Sequence, residues 1–326
     1  MSNVIVPWAL LTAVVLAYPL CSFAQATYPV KPVRIIVPFG PGGASDFLPR
    51  LVGAKLTEMW GQPIIVDNRA GAAGNIGMNM GARAAPDGYT LTSAPVGNLA
   101  LNPHLYTKVG YDVFKDFTLI TLIASVQNVL VVNPAVPAKS IPELIALARA
   151  QPGKLTFGSG GTGTQAHMGG EMLKSMAGID MQHIAYKGVG DSLKDLLGGQ
   201  INMIVAQLPA VKQLVDAGKL RALGVASPQR TPLLPEVPTI AEAGNFKGFE
   251  AVSWYALVGP AGVPGGVALK IRNDIAKVLQ LADVRDKLVG MGADPVGSTA
   301  EELRAAVRAD FDRYGAIIRR LAIKAE

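Results

Sequence analysis

The chain has 326 residues, half of them hydrophobic, a formal charge of +6 and one cysteine, Cys21. This is the profile of an ordinary folded protein, long enough for two domains. Cys21 falls inside an apolar leader, so the mature protein has no thiol, which excludes disulfides, thiolate catalysis and cysteine-ligated metals.

From Val4 to Leu20 no residue is charged, and small residues at Ser22, Ala24 and Ala26 offer cleavage after Ala24 or after Ala26. The stretch reads as a secretory signal peptide over residues 1–24, with 26 as the other frame, and places the mature chain in the periplasm. Met1-Ser2-Asn3 lacks the usual Lys or Arg, so an uncleaved anchor is the alternative. The apolar run is nevertheless short of the ~18 residues of a spanning helix. Leu20 before Cys21 is a poor lipidation context.

Beyond the leader, strands alternate with helices, which predicts a mostly parallel sheet wrapped by helices. The first half supplies a strand at 33–37, a helix at about 46–59, a strand at 64–66, a helix at about 75–85 and a strand at 89–93. Two apolar runs follow at 119–124 and 129–132. Ser140-Ile141-Pro142-Glu143 is a capping box, and Ile141, Leu144, Ile145 and Ala148 keep the helical period after it. Next come a strand at 155–157, a helix at about 165–177 ending at Gly178, and strands at 181–186, 201–205 and 220–226. The proline-punctuated run 228–238 reads as a loop. A strand at 249–258 and helices at about 267–281 and 298–321 complete the chain, the last capped by Ser298 and Glu301. Its basic residues Arg304, Arg308, Arg313, Arg319 and Arg320 alternate with Asp310 and Asp312, a solvated face in place of a nucleic-acid surface. If 128–134 and 249–260 are crossovers, residues 27–127 and 250–326 form one lobe around an inserted lobe, 128–249. A cleft between lobes is where ligands usually bind.

Two glycine-rich turns stand before helices. In Val37-Pro38-Phe39-Gly40-Pro41-Gly42-Gly43-Ala44-Ser45-Asp46, a strand runs through a Gly-Gly turn into a helix start, whose unpaired N–H groups and partial positive charge make an anion cradle. Positive φ is expected at Gly43. The second turn, Gly158-Ser159-Gly160-Gly161-Thr162-Gly163-Thr164, opens the helix carrying Met168, Met172 and Met176, a stripe read as core. It contains Gly-x-Gly-x-x-Gly, but the acidic residue downstream, Asp180, precedes its strand where a dinucleotide fold needs it at the end, so the match is accidental.

Further motifs occur in order: Asp67-Asn68-Arg69-x-Gly71-x-x-Gly74-Asn75-x-Gly77, Asp87-Gly88-Tyr89-Thr90-Leu91, Asn102-Pro103, Tyr186-Lys187-Gly188, Asp195-Leu196-Leu197-Gly198-Gly199-Gln200, Glu236-Val237-Pro238-Thr239 and Ser253-Trp254-Tyr255. With the two turns they make the chain resemble the Bug proteins, solute receptors of tripartite tricarboxylate transporters, over essentially the whole mature length. The resemblance implies an α/β, type II periplasmic binding protein of Venus-flytrap form, two lobes each with a mostly parallel sheet flanked by helices. It implies a monomeric receptor without catalysis, cofactor or metal, closing on a small carboxylate and delivering it to a membrane permease. The ligand would be held largely through backbone groups and ordered water. Contacts are expected from Phe39, Pro41, Gly42, Gly43, Ala44 and Asp46 on one lobe. Ser159, Gly160, Gly161, Thr162 and Thr164 serve the other, with Asn98 and Gln207 beside them. The chain has Val205-Ala206-Gln207-Leu208-Pro209 where the family often has Phe-Asp-Asn-Leu-Pro, which removes an acid useful for amino-acid ligands. Pro49 stands where a helix former is usual.

A periplasmic enzyme acting on a small carboxylate is the alternative, and the residues for it are thin. His104, His167 and His183 are scattered, without ligand spacing. His167 and Glu171 suit an i,i+4 pair, and Ser159 is not at the apex of a Gly-x-Ser-x-Gly elbow. Asp46 suits two roles equally, bracing its turn or bonding a ligand donor. Arg69 is expected to brace Asp67, Trp254 and Tyr255 to pack between lobes or line the cleft, and Lys187 is the nearest basic side chain to the turns.

Overall fold

The computed structural model describes residues 28–324, so the leader and its cleavage frames lie outside the described residues. The chain begins with β1 (Val33–Val37), α1 (Ala44–Trp60), β2 (Ile64–Asn68), α2 (Asn75–Ala82), β3 (Thr90–Pro95), α3 (Asn102–Leu105) and β4 (Phe117–Val126). A wide helical turn, Gly97–Leu101, leads into α3. The middle supplies β5 (Asn128–Val132), α4 (Ile141–Ala150), β6 (Thr156–Ser159), α5 (Gln165–Ala177), β7 (Gln182–Ala185), α6 (Val189–Leu197), β8 (Met203–Gln207), α7 (Leu208–Asp216), β9 (Arg221–Val225) and α8 (Ile240–Gly244). The chain closes with β10 (Ser253–Pro260), α9 (Gly265–Gln280), α10 (Ala282–Gly290), β11 (Ala293–Pro295) and α11 (Ala300–Leu321).

Two sheets result, ordered β11-β4-β10-β3-β1-β2 and β7-β6-β8-β5-β9. Both are mixed. In the first, β1 to β4 run one way and β10 and β11 oppose them; in the second, β6 to β9 run together against β5. The chain passes between sheets at Gln127, where β4 hands over to β5, and returns just before β10. The opposed strands β5 and β10 are the two that follow these crossings. The Asn128 side chain ties them together, its Nδ2 donating to Ala251 O at 2.5 Å and to Ser253 Oγ at 3.0 Å.

One apolar core reaches from sheet to sheet through Leu130, Phe157, Met168 and Met172 on one side and Leu99, Leu122, Trp254 and Tyr314 on the other. The methionine stripe is therefore core. Separate clusters lie under each sheet's far face, around Ile35, Leu48 and Ile271, and around Val131, Ile204 and Val211. Each such side chain contributes about 1.5–3 kcal/mol when fully buried.

Local sequence explains most element ends. Gly178, at φ 60°, stops α5 in the left-handed conformation that glycine adopts without penalty. Pro49 sits inside α1 and cannot donate to Ser45 O; that carbonyl accepts from Ser93 Oγ at 3.3 Å instead. The cap of α11 is one residue later than the spacing suggested: Thr299 and Glu302 form the box. Ser298 is drawn into the sheet, its Oγ accepting from Leu122 N at 2.9 Å. The strand expected from 249 starts at Ser253, because Glu250 to Val252 form the return crossing.

Candidate functional site

Between the sheets lies a cavity of about 440 Å³. The first lobe, built on the six-stranded sheet, lines it with residues 39–45 and 95–98; the second contributes 163–166, 187–190 and 205–207, with Gly160. Asn128, Ser253 and Tyr255 line it from the crossings.

The first turn is held open by side chains beneath it. Gly42 has φ 97°, whereas Gly43 is extended at φ −92°, so the left-handed position is one residue earlier than expected. Asp46 accepts from Gly42 N at 3.3 Å, from Arg50 Nε at 2.9 Å and from Asn68 Nδ2 at 2.9 Å. Asn68 also donates to Phe39 O, tying β2 to the turn. Burial alone would raise the Asp46 pKa; the hydrogen bonds from Arg50, Asn68 and Gly42 outweigh it and hold the carboxyl below the usual range. Asp46 does not line the cavity. It braces the turn, and the first-turn N–H groups of Ala44 and Ser45, outside the helix ladder by its geometry, stand at the cavity wall. Replacing Gly42 by valine is expected to cost about 1–2 kcal/mol of backbone strain and to abolish ligand binding. Unchanged affinity, measured calorimetrically, would remove this turn from the site.

The second turn has the same glycine-rich spelling and a different use. Gly161 N donates to Ser159 Oγ, Gly163 N to His167 Nδ1, Thr164 N to Gly161 O and His167 N to Thr164 Oγ. Its Gly161, Gly163 and Thr164 donors are consumed internally, and the helix-start residues that follow, Gln165 and Ala166, stand at the cavity wall. Ser159, Gly161 and Thr162, all expected as ligand contacts, do not line the cavity, while Gly160, Gly163 and Thr164 do. Thr162 instead turns toward the first lobe, where its carbonyl accepts from Tyr106 Oη at 3.3 Å.

Behind this turn the histidines meet. The His167 and His183 rings stack at 4.2 Å, and Ser159 Oγ lies 2.7 Å from His183 Nε2. Burial, then the neighbouring His183 and Lys174 charges, lowers the His167 pKa to about 3, and burial and Lys174 lower that of His183 to about 4. The expected His167–Glu171 pair does not form; Glu171 pairs with Lys174 at 3.2 Å. Ser159 is 1% exposed, and among the described residues no carboxylate is bonded to either ring. The Ser159 hydroxyl also accepts from Gly161 N at 3.1 Å, which ties it into the turn.

Of the remaining candidates, Phe39, Pro41, Gly42, Gly43, Ala44, Asn98 and Gln207 line the cavity. Gln207 Nε2 donates to Tyr255 Oη across the crossing. Trp254 points away, its Nε1 donating to Asp310 at 2.7 Å, and Arg69 pairs with Asp67 at 2.9 Å. Gln165, which the sequence did not single out, opens α5 at the cavity wall. Its Nε2 donates to Val252 O and to Tyr314 Oη, both at 2.8 Å, and Arg313 donates to the same phenol. The clamp joins α5, α11 and the return crossing. Only contacts at 85–150 residues' separation could have revealed it.

The comparisons agree with this architecture. The sequence model of the tripartite tricarboxylate transporter family receptor matches residues 48–323. Protein BugT of Bordetella pertussis is 36% identical over 302 residues, covering 91% of each chain. R. palustris Rpa4515, solved with adipate, superposes with a TM-score of 0.87 at 35% identity, over 91% of this chain and 99% of that one. MatC from Rhodopseudomonas palustris, with bound malate, gives 0.83 at 29% identity, over 89% and 100%.

Proposed function

Because the chain belongs to the tripartite tricarboxylate transporter receptor family, we propose that it is an exported receptor that captures a small carboxylate between its lobes and delivers it to a membrane permease. The observation that carries this reading is the Gly40–Ser45 wall of the cavity. Backbone donors at the start of a 17-residue helix face a space lined by no acidic side chain. The adipate and malate held by Rpa4515 and MatC support the ligand class. Residues 27–127 with 250–326 form one lobe in this reading and 128–249 the other, and the leader is removed after Ala24 or Ala26. A receptor returns its ligand unchanged; among the described residues no cluster of metal-ligating side chains occurs, and the Ser159–His183 contact lies off the cavity lining.

A thermal-shift screen tests it. A ligand at a hundredfold excess over its dissociation constant stabilises the folded state by about 2.7 kcal/mol, a rise of several degrees in Tm. Carboxylic acids are the expected hits, and their amides and methyl esters are expected to fail, because neutralising the anion removes what the helix start favours. Amides that match their acids would overturn the carboxylate reading.

A further inference from the structure

Among the described residues, two side-chain pairs join cavity-lining residues of different sheets, Asn128–Ser253 and Gln207–Tyr255. Asn128 and Ser253 sit in the crossings themselves, where the chain pivots. The second pair reaches from lobe to lobe. Tyr255 lies on β10, and its ring packs into the first-lobe cluster around Ile35, Leu48 and Ile271. Gln207 is the last residue of β8, in the other sheet. It directly precedes α7 but its side chain does not cap that helix, so the amide is free to donate to the phenol. Burial pushes the Tyr255 pKa up to about 12, against hydrogen bonding to Gln207, Ser45 and Ser253, which keeps the phenol neutral with a proton of its own to donate. Ser45 is the second residue of α1, at the helix start that forms the cavity wall. One hydroxyl thus meets both the first-lobe turn and the second lobe.

We infer that Tyr255 is a positioning residue that couples capture to closure: its hydroxyl steadies the Ser45 end of the first-lobe turn and is bonded by Gln207 only when the lobes come together. The inference rests on the receptor reading above and deepens it. The ring is fixed in the first-lobe core, so parting of the lobes carries Gln207 away from it. Both groups line the cavity, and in an open cleft solvent pairs the amide and the phenol at little cost. The bond therefore separates the closed arrangement from the open one, and only such a difference can shift the balance between them. Reach decides it as well: a side chain one methylene shorter than Gln207 falls short of the phenol.

Titration calorimetry and stopped-flow binding on the mature protein test this, with the tightest binder among succinate, glutarate, adipate and benzoate as the probe. Tyr255→Phe keeps the ring and removes the hydroxyl, Gln207→Met keeps the reach and removes the amide, and Gln207→Asn keeps the amide and removes the reach. Each should weaken the probe about tenfold, the scale of one hydrogen bond made on closure. The loss should appear as faster dissociation with association unchanged, and the ligand-free Tm should stay at the parent value, which a merely structural role would lower. Tyr255→Phe combined with Gln207→Met should bind no more weakly than either alone, because both remove the same bond. Losses that add in the double variant, a Gln207→Asn protein that binds like the parent, or a lowered ligand-free Tm with unchanged affinity would each overturn the inference while leaving the receptor reading intact. A panel in which no acid binds would overturn both.

Discussion

Replacing Gly97 by alanine is expected to leave the protein folded and to cost it about a hundredfold in ligand affinity, close to 2.7 kcal/mol. Gly97 opens the helical turn after β3, on the first lobe, and an added Cβ would stand 2.7 Å from Gly163 O on the second. Gly97 is not in the left-handed region, so alanine suits its backbone. The cost arises only where the lobes meet. Gly163 cannot retreat: its φ is 90°, and its own Cβ position lies 2.2 Å from Asn102 Oδ1. Two glycines and the Tyr106–Thr162 hydrogen bond thus let backbone meet backbone across the cleft. The check is a dissociation constant beside a thermal melt of ligand-free protein. A variant that melts like the parent but binds weakly fits the account; one that binds equally well shows that this approach does not matter for capture.

The second large effect is acid sensitivity. His167 and His183 have folded-state pKa values depressed from 6.5 to about 3 and about 4. The unfolded chain therefore takes up protons first as pH falls. Their contribution to stability is fully present above pH ~6.5 and is lost progressively below it, down to the folded values. Between pH 6.5 and 4.5, before most carboxylates titrate, His167 should cost on the order of 2 kcal/mol. His183 should cost less, because its ring is only half-buried. Urea midpoints across this window should drop, and His167→Gln should flatten the slope. A parent protein equally stable at both ends of the window would mean that the stacked pair is not held neutral.

The sequence was most readable where local chemistry decides. The run Val33–Val37, four apolar residues around Arg34, is the strand expected, and the α5 boundaries follow from Thr164 before and Gly178 after. Short helices escaped notice: α6 begins Val189-Gly190, a poor start by propensity, and α7 follows β8 without a linker. At the site, the two glycine turns look alike as strings. They diverge because one sits above Asp46 and Asn68, which anchor it and leave donors at the wall. The other is filled from behind by Ser159, His167 and His183, and His183 comes from a neighbouring strand. No spacing rule distinguishes a spent N–H from one still at a wall. The Gln165–Tyr314 clamp and the Gly97–Gly163 approach are equally silent in sequence, since each joins distant segments.

The central claim is that a carboxylate is held by backbone donors of the first-lobe turn, within the cavity between the sheets. A crystal structure of the mature protein with the acid that gives the largest thermal shift tests it most directly. The account predicts carboxylate oxygens within hydrogen-bond reach of N–H groups among Gly43, Ala44 and Ser45, with the turn still pinned by Asp46. An acid seated outside the cavity, or inside it with no contact to that turn, would contradict it.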